Sequence, residues 1–124
     1  MGERLFTRDE ANALVPRLRP LLERMRELQQ EMVEPARLRR LGSVVAANGG
    51  GHVATDLMER EAELRRIASA VERMGIVVRD PSAGLVDFPA ERDGRPVYLC
   101  WRLDEASVDH WHDREAGFAG REPL

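Results

Sequence analysis

The fold is decided near the end of the chain, by Gly84-Leu85-Val86-Asp87-Phe88-Pro89, Val97-Tyr98-Leu99-Cys100-Trp101-Arg102 and His110-Trp111-His112. These stretches contain both tryptophans, the only tyrosine and the only cysteine. Successive side chains of a strand point to opposite faces, so the apolar Val97, Leu99 and Trp101 share one face. We expect that face to contact a core beneath helices. The other face then carries Tyr98, Cys100 and Arg102.

Turn residues divide this region into short strands. Asp80-Pro81-Ser82-Ala83-Gly84 is typical of a turn, because Pro presets its dihedral and Gly admits positive φ. Asp93-Gly94 is a strong signal for a two-residue hairpin. Strands are therefore predicted at 76–78, 85–88 and 97–102, with a fourth short strand or a single turn at 107–111. The tail at 113–124 is rich in glycine and charge, and is predicted to be irregular.

The first part of the chain reads as a long helix. Thr7-Arg8-Asp9-Glu10 has the form of a capping box, in which Thr7 and Glu10 each bond to the backbone of the other. Apolar residues then recur at steps of three and four, the pattern of a helix packed lengthwise on another helix. They are Ala11, Leu14, Leu18, Leu21, Met25, Leu28 and Met32. Pro16 and Pro20 lie inside this pattern, so the helix is predicted to continue with a kink.

A glycine run separates the first helix from a second. Three consecutive glycines in Asn48-Gly49-Gly50-Gly51-His52 disfavour helix, so a flexible connector is predicted there. The second helix is predicted to begin at Thr55 or Asp56 and to end at Gly75. The resulting class is α+β, with a long antiparallel helical hairpin packed on a small, three- to four-stranded antiparallel sheet. One domain, 1–124, comprises the hairpin at 7–75, the β module at 76–112 and the tail.

The composition disfavours several classes of protein. A net charge of -3 gives no bulk attraction to nucleic acid or to an anionic membrane. Arg37, Arg39 and Arg40 form a basic cluster, but neighbouring glutamates favour an ordinary solvated face. No apolar run approaches the roughly 20 residues that span a bilayer. With one cysteine and no apolar signal-peptide core at the N-terminus, a cytoplasmic location is expected.

The polar residues near the strand ends suggest a metal or acid–base site. Its candidate members are Asp87, Glu105, His110 and His112, with Glu59, Glu63 or His52 as further ligands. Imidazole and carboxylate suit a divalent metal such as zinc, which needs three or four protein ligands. Under the alternative interpretation, Glu59 and Glu63 are solvated and pair with nearby arginines, and both histidines bond locally.

Asp87 and Cys100 also suggest a ligand site and a nucleophile. Asp87 interrupts an apolar strand, and a buried carboxylate needs a partner, for which Arg102, Arg95 and Arg121 are the candidates. One interpretation is a structural ion pair. The other is a small-ligand pocket formed by Asp87, Arg102 and Trp111, with Trp101 beside them. Cys100 with His112 as its base would be a nucleophile, but a cysteine between Leu99 and Trp101 is more often buried packing.

Several motifs together resemble a known family. They are Phe6-Thr7, Glu10-Ala11-Asn12, Leu14, the strand stretches 84–89 and 97–102, Asp93-Gly94-Arg95, Trp111-His112 and Gly117-Phe118-Ala119-Gly120-Arg121. They are similar to the bacterial family of domain of unknown function 2203, over nearly the whole chain. That family tends to have Gly-Glu-Pro where this chain has Asp104-Glu105-Ala106, so the geometry of that turn is expected to differ. The resemblance implies a bacterial cytoplasmic protein without an assigned activity.

Two functions follow as hypotheses. The first is a non-enzymatic, homodimeric interaction or scaffold protein that associates through its first helix, because the apolar seam of that helix is longer than the predicted second helix covers. The second is a protein that binds a divalent metal or a small ligand at the ends of the C-terminal strands, with hydrolase-type activity as one form. Metal content and the arrangement of Asp87, Glu105 and His112 discriminate the two.

Overall fold

The structure is a computed structural model that describes residues 3–41 and 43–124, with side chains for 3–33 and 55–124. Two helices precede the sheet, α1 at Arg8–Leu41 and α2 at Ser43–Arg73. Five strands follow: β1 at Val77–Asp80, β2 at Leu85–Arg92, β3 at Arg95–Arg102, β4 at His110–Asp113 and β5 at Glu122–Pro123. A single 3-10 turn, Phe118–Gly120, separates the last two strands. The predicted α+β class is confirmed.

Helix α1 begins at the predicted capping box and contains the predicted prolines. The Glu10 amide donates to Thr7 Oγ1 at 3.1 Å, and the Thr7 amide donates to Glu10 Oε1 at 2.8 Å. The helix continues past Pro16 and Pro20. Of its predicted apolar seam, Ala11, Leu18, Met25 and Leu28 are fully buried, whereas Leu14 and Leu21 are half-buried and Leu22, outside the predicted seam, is fully buried. Tertiary packing along this seam offsets the backbone hydrogen bonds that the prolines remove.

Helix α2 is longer than predicted. The expected connector at 48–52 and the expected start at Thr55 or Asp56 are wrong, because α2 begins at Ser43 and includes the glycine run. Each glycine costs about 1 kcal/mol relative to alanine in a helix, a cost that elongation of a long helix tolerates. Gly42, between the helices, and the side chain of His52 lie outside the described residues. The predicted end is confirmed, since Gly75 has a φ of 90° and its amide donates to the Glu72 carbonyl.

The two helices contact each other in opposite chain order. Arg24 of α1 pairs with Glu63 of α2 at 2.7 Å, and Glu31, further along α1, pairs with Arg60, earlier in α2, at 2.9 Å. The helices therefore run antiparallel. A dimer was expected because the apolar seam of α1 is longer than the predicted second helix. That reason does not hold, since α2 is long enough to match the seam.

The sheet has five antiparallel strands in the order β1-β2-β3-β4-β5, rather than three to four. The predicted hairpin at Asp93-Gly94 is confirmed, with positive φ at both residues (53° and 76°), as a type I′ turn requires. The prediction of an irregular tail is wrong for part of it: β4 extends to Asp113 and β5 pairs with β4. Contacts distant in sequence hold the tail, including the bond from the Leu124 amide to the Asp109 carbonyl at 2.8 Å.

One face of the sheet forms the core with the helices. Val97, Leu99 and Trp101 are at most 5% exposed there, as strand alternation predicts. They pack with Leu18, Leu22, Met25, Val71, Val86 and Phe88. Fully burying one large apolar side chain contributes about 1.5–3 kcal/mol, so this face anchors the strands. We call the opposite side the outer face; it carries Asp87 and Cys100, which are directly opposed across β2 and β3.

Candidate metal centre

Three buried polar side chains converge on the outer face. Asp87 on β2, Cys100 on β3 and His112 on β4 are each at most 2% exposed. One ligand atom from each lies within 4.8 Å of the other two. Strand register brings them together. Asp87 is opposite Cys100 across β2 and β3, and His110 is opposite Cys100 across β3 and β4. His112, two residues after His110, points to the same face of the sheet. We call this group the Asp87–Cys100–His112 site.

Both ring nitrogens of His112 face hydrogen-bond acceptors. Nδ1 is 2.7 Å from the Asp113 carbonyl oxygen, and Nε2 is 3.0 Å from Asp87 Oδ1. A carbonyl oxygen only accepts, so Nδ1 carries a proton. In a neutral ring, Nε2 would then direct its lone pair at a carboxylate oxygen. A second proton or a cation is therefore needed between His112 and Asp87.

Asp87 is held by an arginine that was not among its predicted partners. Arg79 Nε donates to Asp87 Oδ2 at 2.9 Å, and this bond raises the pKa of the guanidinium. The expected partners are paired elsewhere: Arg102 with Asp104, Arg95 with Asp113 and Arg121 with Glu105. Arg79 lies at an irregularity of β1, where the register shifts between Val78 and Asp80. Such a bulge changes the direction of a side chain, which a sequence pattern does not reveal.

Cys100 is a neutral thiol in this arrangement. Burial raises the pKa of the Cys100 thiol to about 12, and the negative charge of Asp87 adds to the effect. The nitrogens of His112 bond to Asp113 and Asp87, so the predicted pairing of Cys100 with His112 as its base is not formed. A bound metal ion would reverse this state, because a coordinating thiol is deprotonated outright.

Glu105 and His110 belong to a second group, which we call the Glu105–His110–Arg121 cluster. Arg121 Nη2 donates to both oxygens of Glu105, at 2.9 and 2.8 Å, and the Arg102 amide donates to Oε1 at 2.8 Å. His110 Nδ1 is 3.5 Å from Glu105 Oε2 and has no hydrogen-bond partner among the described residues. A guanidinium therefore already balances this carboxylate.

The side chains of the remaining predicted site residues do not join either group. Trp111 is opposite Leu99, and so lies on the core face, away from Asp87. Glu63 is paired with Arg24 on α1, and Glu59 is exposed on α2. Arg102 is paired with Asp104 at 2.6 Å. Glu63 therefore forms an ion pair, as the alternative interpretation expected, but its partner is on α1 rather than a neighbouring arginine of α2.

A cavity of about 300 Å³ adjoins the Asp87–Cys100–His112 site. Its other walls are Arg79, Leu85, Arg114, Glu115, Ala116, Gly117 and Phe118.

Sequence reasoning did not assign Cys100 to a metal site, and it did not identify Arg79 or Arg114. One signal for Cys100 was present: Asp87 and Cys100 stand the same number of residues from the Asp93-Gly94 turn, so a two-residue hairpin places them opposite each other.

The chain belongs to a known family of proteins. The model of the uncharacterized conserved protein family DUF2203 matches residues 4–124, in agreement with the resemblance noted in the sequence. Neither a curated protein nor a solved structure was found to match the chain. Within the described residues, neither helix has a stretch that is both long and apolar enough to cross a membrane.

Proposed function

We propose that this protein binds one transition-metal ion, with zinc as the expected ion, at the Asp87–Cys100–His112 site. The observation that carries the proposal is the environment of His112, a ring at most 2% exposed whose two nitrogens both face acceptors. A cation between Nε2 and Asp87 Oδ1 satisfies both groups at once. Cys100 supplies a third donor at the same point.

The donor set suits zinc in chemistry and in size. Thiolate, imidazole and carboxylate are the three protein ligands that zinc binds most often. With zinc–ligand bonds of about 2.0–2.3 Å, neighbouring ligand atoms in a tetrahedron lie roughly 3.4 Å apart. The separation of 3.0 Å between His112 Nε2 and Asp87 Oδ1 is near that value, so small side-chain movements would admit the ion.

The surrounding contacts resemble those that orient metal ligands. A histidine ligand usually donates its second N–H to a carbonyl or carboxylate, and ligating carboxylates are themselves hydrogen-bonded. His112 Nδ1 bonds to the Asp113 carbonyl, and Asp87 Oδ2 accepts from Arg79. Three protein ligands leave a fourth position for water or substrate, as in catalytic zinc sites. Metal-assisted hydrolysis is therefore the reaction class that this proposal favours.

Metal content of the protein, purified without a metal-affinity tag, tests this proposal. We expect close to one zinc per chain by elemental analysis. After exchange with cobalt, a sulfur-to-cobalt charge-transfer band should appear in the wild type and be absent in Cys100→Ser. Circular dichroism of the variant controls for folding. If neither zinc nor cobalt binds to the folded protein, the proposal is wrong.

A homodimer is a second candidate, supported by one observation. Val33 of α1 and Met58 of α2 are 58% and 68% exposed, and the neighbouring Glu31–Arg60 pair places them at the same end of the helices. A contact with a second copy would require these side chains to belong to one contiguous apolar patch. A scaffold role would use that contact. The molar mass from light scattering, compared between the wild type and Val33→Glu/Met58→Glu, tests it, and a monomeric wild type would exclude it.

A further inference from the structure

We propose that the cavity beside the Asp87–Cys100–His112 site binds a small ligand with an anionic oxygen group, a carboxylate or a phosphate. One oxygen of the group would occupy the fourth position on the metal, and Arg79 and Arg114 would bind its charge. This inference rests on the proposed metal site and goes further by naming the class of ligand.

Two guanidinium groups form the positive part of the cavity wall. The guanidinium of Arg79 lies 4.9 Å from the centre of the Tyr98 ring, and that of Arg114 lies 4.2 Å from it. The ring of Tyr98 therefore orders both cations beside the metal ligands. Charged hydrogen bonds from arginine to carboxylate or phosphate are among the strongest in proteins, and they are often bidentate.

Both arginines retain donors for a ligand. The bond from Arg79 to Asp87 uses only Nε, one of the nitrogens of a guanidinium that has five N–H donors. Arg114 directs Nε to the Val97 carbonyl at 3.0 Å and Nη2 to Glu3. Its Nη1 is not used by either contact. A ligand oxygen in the cavity can therefore accept from both residues without breaking the bonds that orient them.

Charge balance favours an anion once the metal is bound. Asp87 and the thiolate of Cys100 then neutralise a divalent cation between them. Asp87 then serves the metal as well as Arg79, so the charge of Arg79 is left without a full counter-charge. Glu115 on the cavity wall and Glu3 beside Arg114 oppose this effect in part. An anionic ligand in the cavity, whose wall includes Arg79, restores the balance.

The size of the cavity limits the ligand. Its volume of about 300 Å³ is at the small end of the range for ligand sites. Phe118 contributes an apolar wall and is itself held by the guanidinium groups of Arg102, at 5.2 Å, and Arg121, at 4.7 Å. A small metabolite with one anionic end and a short apolar part fits these walls, whereas a polymer does not.

Anion titrations of the cobalt-loaded protein test the inference. Acetate and inorganic phosphate are added separately at constant ionic strength, and the cobalt absorption bands are followed. We expect at least one anion to shift these bands, and its apparent Kd to rise about tenfold in Arg79→Gln and in Arg114→Gln. Arg65→Gln, an exposed change on α2, is the matched control. Among the described residues, Arg114 bonds to Val97 and Glu3 rather than to Asp87, Cys100 or His112, so its variant separates anion binding from metal binding.

The outcomes of this experiment are distinct. Bands that shift with one anion alone identify the group as carboxylate or phosphate. If cobalt binds but neither anion shifts the bands, or if both arginine variants bind anions as the wild type does, the inference is wrong and the metal site stands. If cobalt does not bind to the folded wild type, the proposed function itself fails, and the inference fails with it.

Discussion

The Asp87–Cys100–His112 site and the Glu105–His110–Arg121 cluster differ in burial and in their donor atoms, although each joins a carboxylate to a histidine and an arginine. In the cluster, Arg121 donates two hydrogen bonds to Glu105, and its members are 12–34% exposed. At the site, the carboxylate and the ring are 3% and 2% exposed, Arg79 donates one hydrogen bond to Asp87, and the thiol of Cys100 lies beside them. Histidine and carboxylate together are therefore not enough to indicate a metal site; the nearly complete burial of the Asp87–Cys100–His112 site and its sulfur donor distinguish it from the cluster.

The largest expected difference between the two groups is in stability. Asp87→Ala should lower the free energy of unfolding of the metal-free protein by about 3–5 kcal/mol, because it leaves Nε2 of the buried His112 without a partner. Glu105→Ala is the matched change in the cluster and should cost about 1–3 kcal/mol, since Glu105 and Arg121 are less completely buried, at 18% and 12% exposed. Urea unfolding followed by tryptophan fluorescence measures both. Equal losses of unfolding free energy would contradict the expectation that the more deeply buried pair contributes more to stability.

The two histidines of β4 provide the next test. His112→Ala should weaken zinc binding by more than about a hundredfold, beyond the loss typical of residues that only orient a ligand. His110→Ala should leave zinc affinity nearly unchanged, because Glu105 beside it is already balanced by Arg121. Competition with a chromophoric chelator measures both affinities. A loss in His110→Ala as large as that in His112→Ala would place the metal at the cluster instead.

Reactivity of Cys100 gives a smaller effect. The side chain is 1% exposed, so alkylation by iodoacetamide requires local opening of the sheet. Zinc at about ten times its Kd should slow alkylation about tenfold, because only the closed state binds the ion. A chelator should restore the original rate. Mass spectrometry of timed samples measures the reaction, and equal rates with and without zinc would argue against Cys100 as a ligand.

The turn that sets the register of the site should show the smallest effect. Gly94→Ala is expected to cost about 1–2 kcal/mol, the strain of a left-handed residue with a Cβ. No atom lies within 4 Å of the added Cβ, so crowding adds nothing. Asp93→Asn, which tolerates the same region, is the control and should be neutral. Thermal unfolding measures both, and a loss of zinc affinity in Gly94→Ala would show that the turn sustains the site directly.

Local and periodic signals in the sequence predicted much of the fold. The capping box, the apolar seam of α1, the C-terminal cap at Gly75 and the hairpin at Asp93-Gly94 are all present. Each depends on residues a few positions apart, so short-range geometry decides it. The glycine run misled the prediction for the same reason: local propensity is weak evidence within a long helix. Part of the tail was mispredicted because its partners, such as Glu105 for Arg121, are distant in sequence.

By itself, the sequence determined which face of β3 is buried and that Asp87 is opposite Cys100, because alternation and a two-residue turn leave no other register. Only the tertiary structure decided that His112 completes the group. The loop between β3 and β4 is too long for its composition to set the register of β4. The bulge in β1, which redirects Arg79, is likewise not evident from the sequence. The tertiary structure also places Trp111 and Glu105 away from Asp87. A site assembled from three strands depends on pairing between distant segments, which local sequence chemistry does not encode.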